Sequence, residues 1–203
     1  VERGAAYQRA IAIPEKRYGA DDEHLAALLN SEAMLLRDQG KLEEAGNGFV
    51  RLIALEQRIY GPESPLLISP LANMAETLVL LHDGPSAVIA ANRALAIAER
   101  EHGPDHIRLA SLLGTRGDAF AFAGDAASAL ADYDRAIRIL EAQKPVDELA
   151  LAYALDRRGW IRAQNTDDRK TARADAERAL ELVAKHGANP ALEADLAELM
   201  TAT

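Results

Sequence analysis

Tyr60-Gly61-Pro62-Glu63 is answered 42 residues later by His102-Gly103-Pro104-Asp105, and preceded at the same interval by Tyr18-Gly19-Ala20-Asp21. A second register keeps that spacing through Ala45, Ala87 and Ala129, and Gly40 meets Gly124 two intervals on. Self-similarity of this length is the mark of stacked supersecondary units, each of which buries its apolar face only against its neighbours.

Working outward from these junctions, each interval holds two stretches of helical periodicity. In the clearest one, Ala110, Leu113, Gly117 and Phe120 form one stripe, and Ala129, Tyr133, Ala136, Ile137 and Leu140 form the next. The spacing predicts helices near 22–38 and 42–59, 66–81 and 85–101, 107–122 and 126–142, 147–164 and 169–186. An unpaired helix near 4–17 precedes them and a closing helix near 190–200 follows. Gly19, Gly61 and Gly103 stand where a helix needs a left-handed cap, and Pro62 and Pro104 then forbid continuation. Asp21, Glu63 and Asp105 put negative charge at the positive end of the following helix dipole. Pro70 falls about a turn inside its helix and predicts a shortening or kink, and Pro14 a bend in the opening helix. The fourth interval drifts: Pro145 replaces the cap glycine, and Asn165-Thr166-Asp167-Asp168 inserts one residue, so that the expected small residue moves to Ala172. The expected layout is a single solenoid domain over 1–203. It comprises a half repeat at 1–19, repeats at about 20–61, 62–103, 104–145 and 146–187, and a capping helix within 188–203.

Composition fits an all-α array. Hydrophobic residues are 49% of the chain but aromatics only 4%, so the apolar content is mostly Ala and Leu, which favour closely packed helices. The net charge of −9 argues against phosphate backbones and anionic membrane surfaces as partners. The absence of cysteine removes disulfides and thiolate chemistry. No apolar run approaches the roughly 18 residues of a membrane span, and the expected compartment is the cytoplasm. The chain opens inside a repeat, which suggests a piece of something longer, from which a targeting segment could have been removed.

In the third repeat Gly117, Phe120, Ala129, Tyr133 and Ala136 carry a small–large–small–aromatic–small pattern, and the first follows it with Ala33, Leu36, Ala45 and Phe49 but has Leu52 at the last position. The second reads Ala75, Leu78, Ala87, Ala91 and Ala94, and the fourth keeps Gly159, Ala172, Ala176 and Ala179. This pattern resembles the tetratricopeptide repeat family. The longer interval and the Gly-Pro-Asp-His junction at 103–106 are similar to the variant typified by kinesin light chain and many bacterial proteins. The resemblance implies an α–α superhelix of antiparallel hairpins that serves as a scaffold for protein or peptide partners.

If the resemblance holds, the first helix of each repeat lines a concave groove. The residues expected there are Asn30, Ser31, Met34 and Arg37; Ser69, Asn73 and Glu76; Ser111, Thr115 and Asp118; and Tyr153, Asp156, Arg157 and Trp160. Asn73 stands where members of the family use an asparagine on a peptide backbone. The Lys and Arg set that grips a C-terminal carboxylate in the co-chaperone subgroup is missing from the matching positions of repeats one to three, and Glu76, Asp118 and Asp156 suggest a basic or donor-rich ligand. Tyr153 or Trp160 would supply an apolar anchor. Phe120 and Tyr133 are expected in the core. No catalytic motif, cofactor site or metal site is predicted: Gly103-Pro104 separates His102 from His106 and breaks the helical spacing a shared metal needs. The run Arg157, Arg158, Arg162, Arg169, Lys170 and Arg173 is interleaved with acids, which favours a solvated or salt-bridged face over nucleic acid. Alternative roles are a regulatory or sensor segment of a larger bacterial protein, and self-assembly through the terminal helices, with Ala6, Ile11 and Ile13 unpartnered.

Overall fold

The computed structural model describes residues 23–165, 168–186 and 189–202. The expected helix near 4–17, with Ala6, Ile11, Ile13 and Pro14, and the Tyr18-Gly19-Ala20-Asp21 junction lie outside the described residues, as do Thr166 and Asp167. The described residues are all-α. They form α1 (Glu23–Asp38), α2 (Leu42–Tyr60), a 3₁₀ turn (Pro65–Leu67), α3 (Ile68–Leu80), α4 (Gly84–His102), α5 (Arg108–Phe122), α6 (Ala126–Ala142), α7 (Glu148–Asn165), α8 (Arg169–His186) and α9 (Pro190–Ala202). Two compact units divide the chain, residues 1–101 and 102–203.

The turns after α1, α3 and α5 share one chemical form. At the end of α1 the amide of Gly40 reaches Arg37 O and that of Lys41 reaches Leu36 O; His82 and Asp83, and Gly124 and Asp125, repeat this pair of bonds. The residue in the middle takes positive φ, 74° at Gly40 and 82° at Gly124, but His82 holds 59° with a side chain attached. An aspartate caps three of the second helices, Asp83 accepting from Ser86 N, Asp125 from Ser128 N and Asp168 from Thr171 N, whereas Lys41 before α2 makes no side-chain cap. Asp168 stands one residue later than the interval requires, which is the displacement expected of the fourth repeat. Between hairpins Gly61 has φ 90° and ψ 161°. It is therefore not the left-handed helical cap expected from sequence but an extended positive-φ residue, a region only glycine enters freely. Pro70 is accommodated by a late helix start. The 3₁₀ turn, capped by Ser64 through Leu66 N, occupies the expected first turn, so Pro70 falls third in α3, where its missing N–H has no intrahelical partner to lose.

In the first unit Leu25, Leu29, Ala33, Ala45, Phe49, Leu52 and Leu55 form the core of the α1–α2 hairpin, and Ala75 packs with Ala90 and Ala91 in the next. In the second unit Ala129, Ala172, Ala176 and Ala179 are fully enclosed. At these crossings a methyl group fills the gap and anything larger would separate the helices. Tyr133 is core as expected, whereas Phe120 is only half-buried, with the Arg116 guanidinium 5.6 Å from its ring centre. Leu192, Leu196 and Leu199 form the inner stripe of α9, and Leu199 lies where a Cβ on Gly159 would stand, at 2.7 Å. Ion pairs strap the second unit together. Arg116 grips Asp132 through Nε and Nη2, and Arg158 grips Asp175 in the same two-pronged way; Arg158 and Arg162 also reach Asp134. In the second repeat the positions corresponding to Arg116 and Asp132 hold Met74 and Ala90, and Met74 packs against Ala90 and its neighbours, an apolar contact in place of the ionic one.

Candidate functional site

Two sequence registers run along the first helices of the hairpins: Ser31, Asn73, Thr115 and Arg157, and Met34, Glu76, Asp118 and Trp160, each spaced by 42 residues. In the first unit these residues lie on α1 and α3. Met34 is 37% exposed, with Asn30 Nδ2 3.6 Å from its sulfur. Arg37 Nη1 donates to Glu76 Oε2 at 2.9 Å, so two expected ligand-binding charges satisfy one another across α1 and α3. Ser69 is exposed. Asn73 is half-buried, and its backbone carbonyl accepts from Thr77 Oγ1 at 2.7 Å. Its side-chain amide makes no hydrogen bond among the described residues, which leaves a donor and an acceptor available.

In the second unit Thr115 turns its hydroxyl back to Ser111 O, and Ser111 bonds to Arg108 O, so both hydroxyls are engaged by their own helix. The Tyr153 ring is 44% exposed, and its hydroxyl accepts from Asn189 Nδ2 at 3.0 Å, tying α7 to the start of α9. Asp118, Arg157 and Trp160 converge. They line a cleft of about 360 Å³, together with Ala121 and Phe122 of α5, Ile161 and Gln164 of α7, and Asp195 of α9. Asp156 lies one turn before Trp160 on the same helix face, enclosed to 1% exposure, and its Oδ1 has no hydrogen-bond partner among the described residues.

The electrostatics follow from this enclosure. Burial raises the carboxyl of Asp156 to about 6, against the pull of Arg157 and with added repulsion from Asp195 and Asp118. Burial also raises the Asp118 carboxyl, opposed by the hydrogen bond from Tyr133 and by Arg157. The Tyr133 hydroxyl donates to Asp118 Oδ1 at 2.8 Å and lies 3.2 Å from Gly114 O. Burial, then Asp118, push that phenol well above its ordinary range, so it remains a donor at any physiological pH. Its ring fits because residue 117 is glycine: a Cβ there would lie 2.7 Å from Tyr133 Cε2. A core aromatic thus positions a cleft carboxylate.

Sequence reasoning named Asp118, Asp156, Arg157 and Trp160 but missed Phe122, Ile161, Gln164 and Asp195. The first three lie a turn beyond Asp118, Arg157 and Trp160, so extending each stripe by four residues finds them. Asp195 belongs to the closing helix, which carries no repeat signature to assign its register. Part of the basic run is engaged in ion pairs: Arg158 and Arg162 with Asp134 and Asp175, and Arg173 with Glu177. His102 and His106 stack with ring centres 4.7 Å apart, and among the described residues no group of three or more histidines and acids is arranged to hold a metal ion. No described helix is long and apolar enough to cross a membrane.

The sequence profile of the tetratricopeptide repeat family matches residues 24–100 and 71–142. No curated protein matches the chain in sequence. Among solved structures, the fold is similar to BtubC (BKLC) from P. vanneervenii, with a TM-score of 0.78 at 20% identity over 92% of this chain and 74% of that one. It is similar also to the nearly identical TPR-like repeats assigned to a kinesin light chain of Podosopora anserina, with a TM-score of 0.76 at 17% identity over 91% and 87%. MamA from Desulfovibrio magneticus RS-1 is more distant, with a TM-score of 0.62 at 12% identity over 93% and 99%. At these identities the likeness speaks for the fold.

Proposed function

The chain belongs to the tetratricopeptide repeat family, and on that premise we propose that it is a protein-interaction scaffold, holding a segment of a partner polypeptide against the first helices of its hairpins. The family fold is typically a non-enzymatic scaffold. The observation that carries the reading is the convergence of Asp118, Arg157 and Trp160 on one cleft. A concave site with an aromatic wall and a few polar groups is the usual form of a ligand pocket, and this one falls within the usual range of about 300–1,000 Å³. The Asn73 side-chain amide, without a partner among the described residues, supports the same role in the first unit, since it can pair with both groups of an extended peptide bond.

The test is panning of a random peptide library on the protein, followed by titration of the selected peptides. Asn73→Ala and Trp160→Ala are each expected to weaken a selected peptide by about tenfold or more, the loss typical of an interface anchor. Peptides that bind both variants as tightly as the parent would place recognition elsewhere and overturn the proposal.

A further inference from the structure

We infer that the cleft between α5, α7 and α9 seats an arginine side chain of the bound segment, its guanidinium held between the Trp160 indole and the carboxylates of Asp118 and Asp195, within electrostatic reach of the enclosed Asp156. This deepens the scaffold reading and rests on it for the identity of the molecule that carries the arginine.

Three observations converge on a cation. Two carboxylates line the cleft, Asp118 of α5 and Asp195 of α9, against a single guanidinium, Arg157, and both lie within electrostatic reach of a third, Asp156 of α7, so the site is negative when all are ionised. The Asp156 carboxyl is enclosed, with Oδ1 lacking a hydrogen-bond partner among the described residues, so positive charge entering the neighbouring cleft would offset its poorly compensated charge. The lining also supplies Trp160, Phe122, Ile161 and Ala121, apolar surface on which a chain of methylenes and a flat cation can lie. Such a wall selects arginine over lysine. A guanidinium is weakly hydrated, stacks on an indole face and offers a planar fork of donors to carboxylates, whereas an ammonium is a strongly hydrated point charge. A metal ion has no support, since no described cluster has the arrangement to hold one.

The same enclosure makes occupancy depend on pH. The groups around Asp156 are Asp118 on α5, Tyr133 on α6 and Asp195 on α9, with Arg157 beside it on α7; on α8, Asp175 is engaged by Arg158 and Arg162. With its carboxyl at about 6, Asp156 is ionised at pH 7.5 and largely protonated at pH 5, when about a tenth of it remains charged.

Trp160 is the sole tryptophan, so its emission reports on the cleft directly. The experiment titrates the protein with the capped amino acids N-acetyl-arginine, -lysine, -norleucine and -glutamate methylamides. The arginine probe is expected to give a saturable change, the lysine probe a weaker one, and the other two none. Affinity for the arginine probe should fall about tenfold from pH 7.5 to pH 5 and by a similar factor in Asp156→Asn. It should also fall in Asp195→Asn, a change on an exposed position that leaves the core intact, and rise in Arg157→Gln, which removes the competing positive charge. A norleucine response equal to that of arginine, or unchanged arginine affinity in both aspartate variants, would overturn the inference. Selected peptides that bind without arginine and without disturbing Trp160 would also overturn it, while leaving the scaffold reading in place. An arginine-probe response in a protein that selects no peptide would sink the scaffold reading and, with it, the partner segment as the source of the arginine.

Discussion

Gly114 and Gly117 lie on the same helix, and the structure assigns opposite signs to their replacement by alanine. At Gly117 the added Cβ would meet Tyr133 Cε2 at 2.7 Å and Cζ at 3.1 Å, in a site that is fully packed. Overpacking of this kind costs about 1–3 kcal/mol. Displacing the ring also breaks the 2.8 Å bond from its hydroxyl to Asp118, a charged acceptor, which adds about 1.5–3 kcal/mol. Against these stands the better helix propensity of alanine, about 1 kcal/mol. The net expectation is a loss of about 1.5–5 kcal/mol. At Gly114 a Cβ meets nothing within 4 Å, so only the propensity gain remains and Gly114→Ala should stabilise by up to about 1 kcal/mol. Urea unfolding followed by Trp160 emission reads both, because the indole is in the same compact unit as the two glycines. Midpoints that move in the same direction, or an unmoved midpoint for Gly117→Ala, would refute the close packing of Tyr133 as the reason for glycine at 117.

Asp175→Ala should destabilise by about 3–5 kcal/mol, since Arg158 and Arg162 would lose their shared, enclosed acceptor, and a thermal melt within a degree of the parent would count against that strap. Ala129→Leu should cost about 1–3 kcal/mol while Ala127→Leu, at an exposed position, costs little; equal denaturation midpoints would contradict the helix crossing at Ala129. The raised carboxyl of Asp156 means that the folded chain holds its proton more tightly than the unfolded chain does, so an ionised Asp156 weakens the fold at pH values above about 6. A rise from the ordinary aspartyl range to about 6 corresponds to about 3 kcal/mol. Asp156→Asn should therefore be more stable than the parent at pH 7.5 by up to that amount, with the advantage fading between about pH 6 and pH 4. A pH-independent difference between the two urea midpoints would disprove the enclosure as its cause.

The sequence by itself determined the all-α class, the interval and the ends of the described helices to within about two residues, because each of those depends on neighbours a turn or two apart. An alanine at a crossing, an aspartate at a cap and a glycine at a positive-φ turn act locally, and a repeat states each of them several times. His82 marks the boundary of that legibility: the turn at that position forms as its neighbours do, although the residue that usually signals it is absent. The groove face, too, followed from helical phase, but which of its residues are available did not. Arg37 and Glu76 are 39 residues apart and engage one another, and Tyr153 is tied to Asn189, while the side-chain amide of Asn73 meets no partner among the described residues. Only the tertiary structure decided that Asp118, Trp160 and Asp195, from three helices, share one cleft and that the carboxylate of Asp156 lies enclosed beside it. The physical reason is one of range. Helix formation is set by short-range backbone and side-chain preferences that a linear pattern records, whereas desolvation and charge proximity depend on how separate helices pack, which no single stretch of the chain contains.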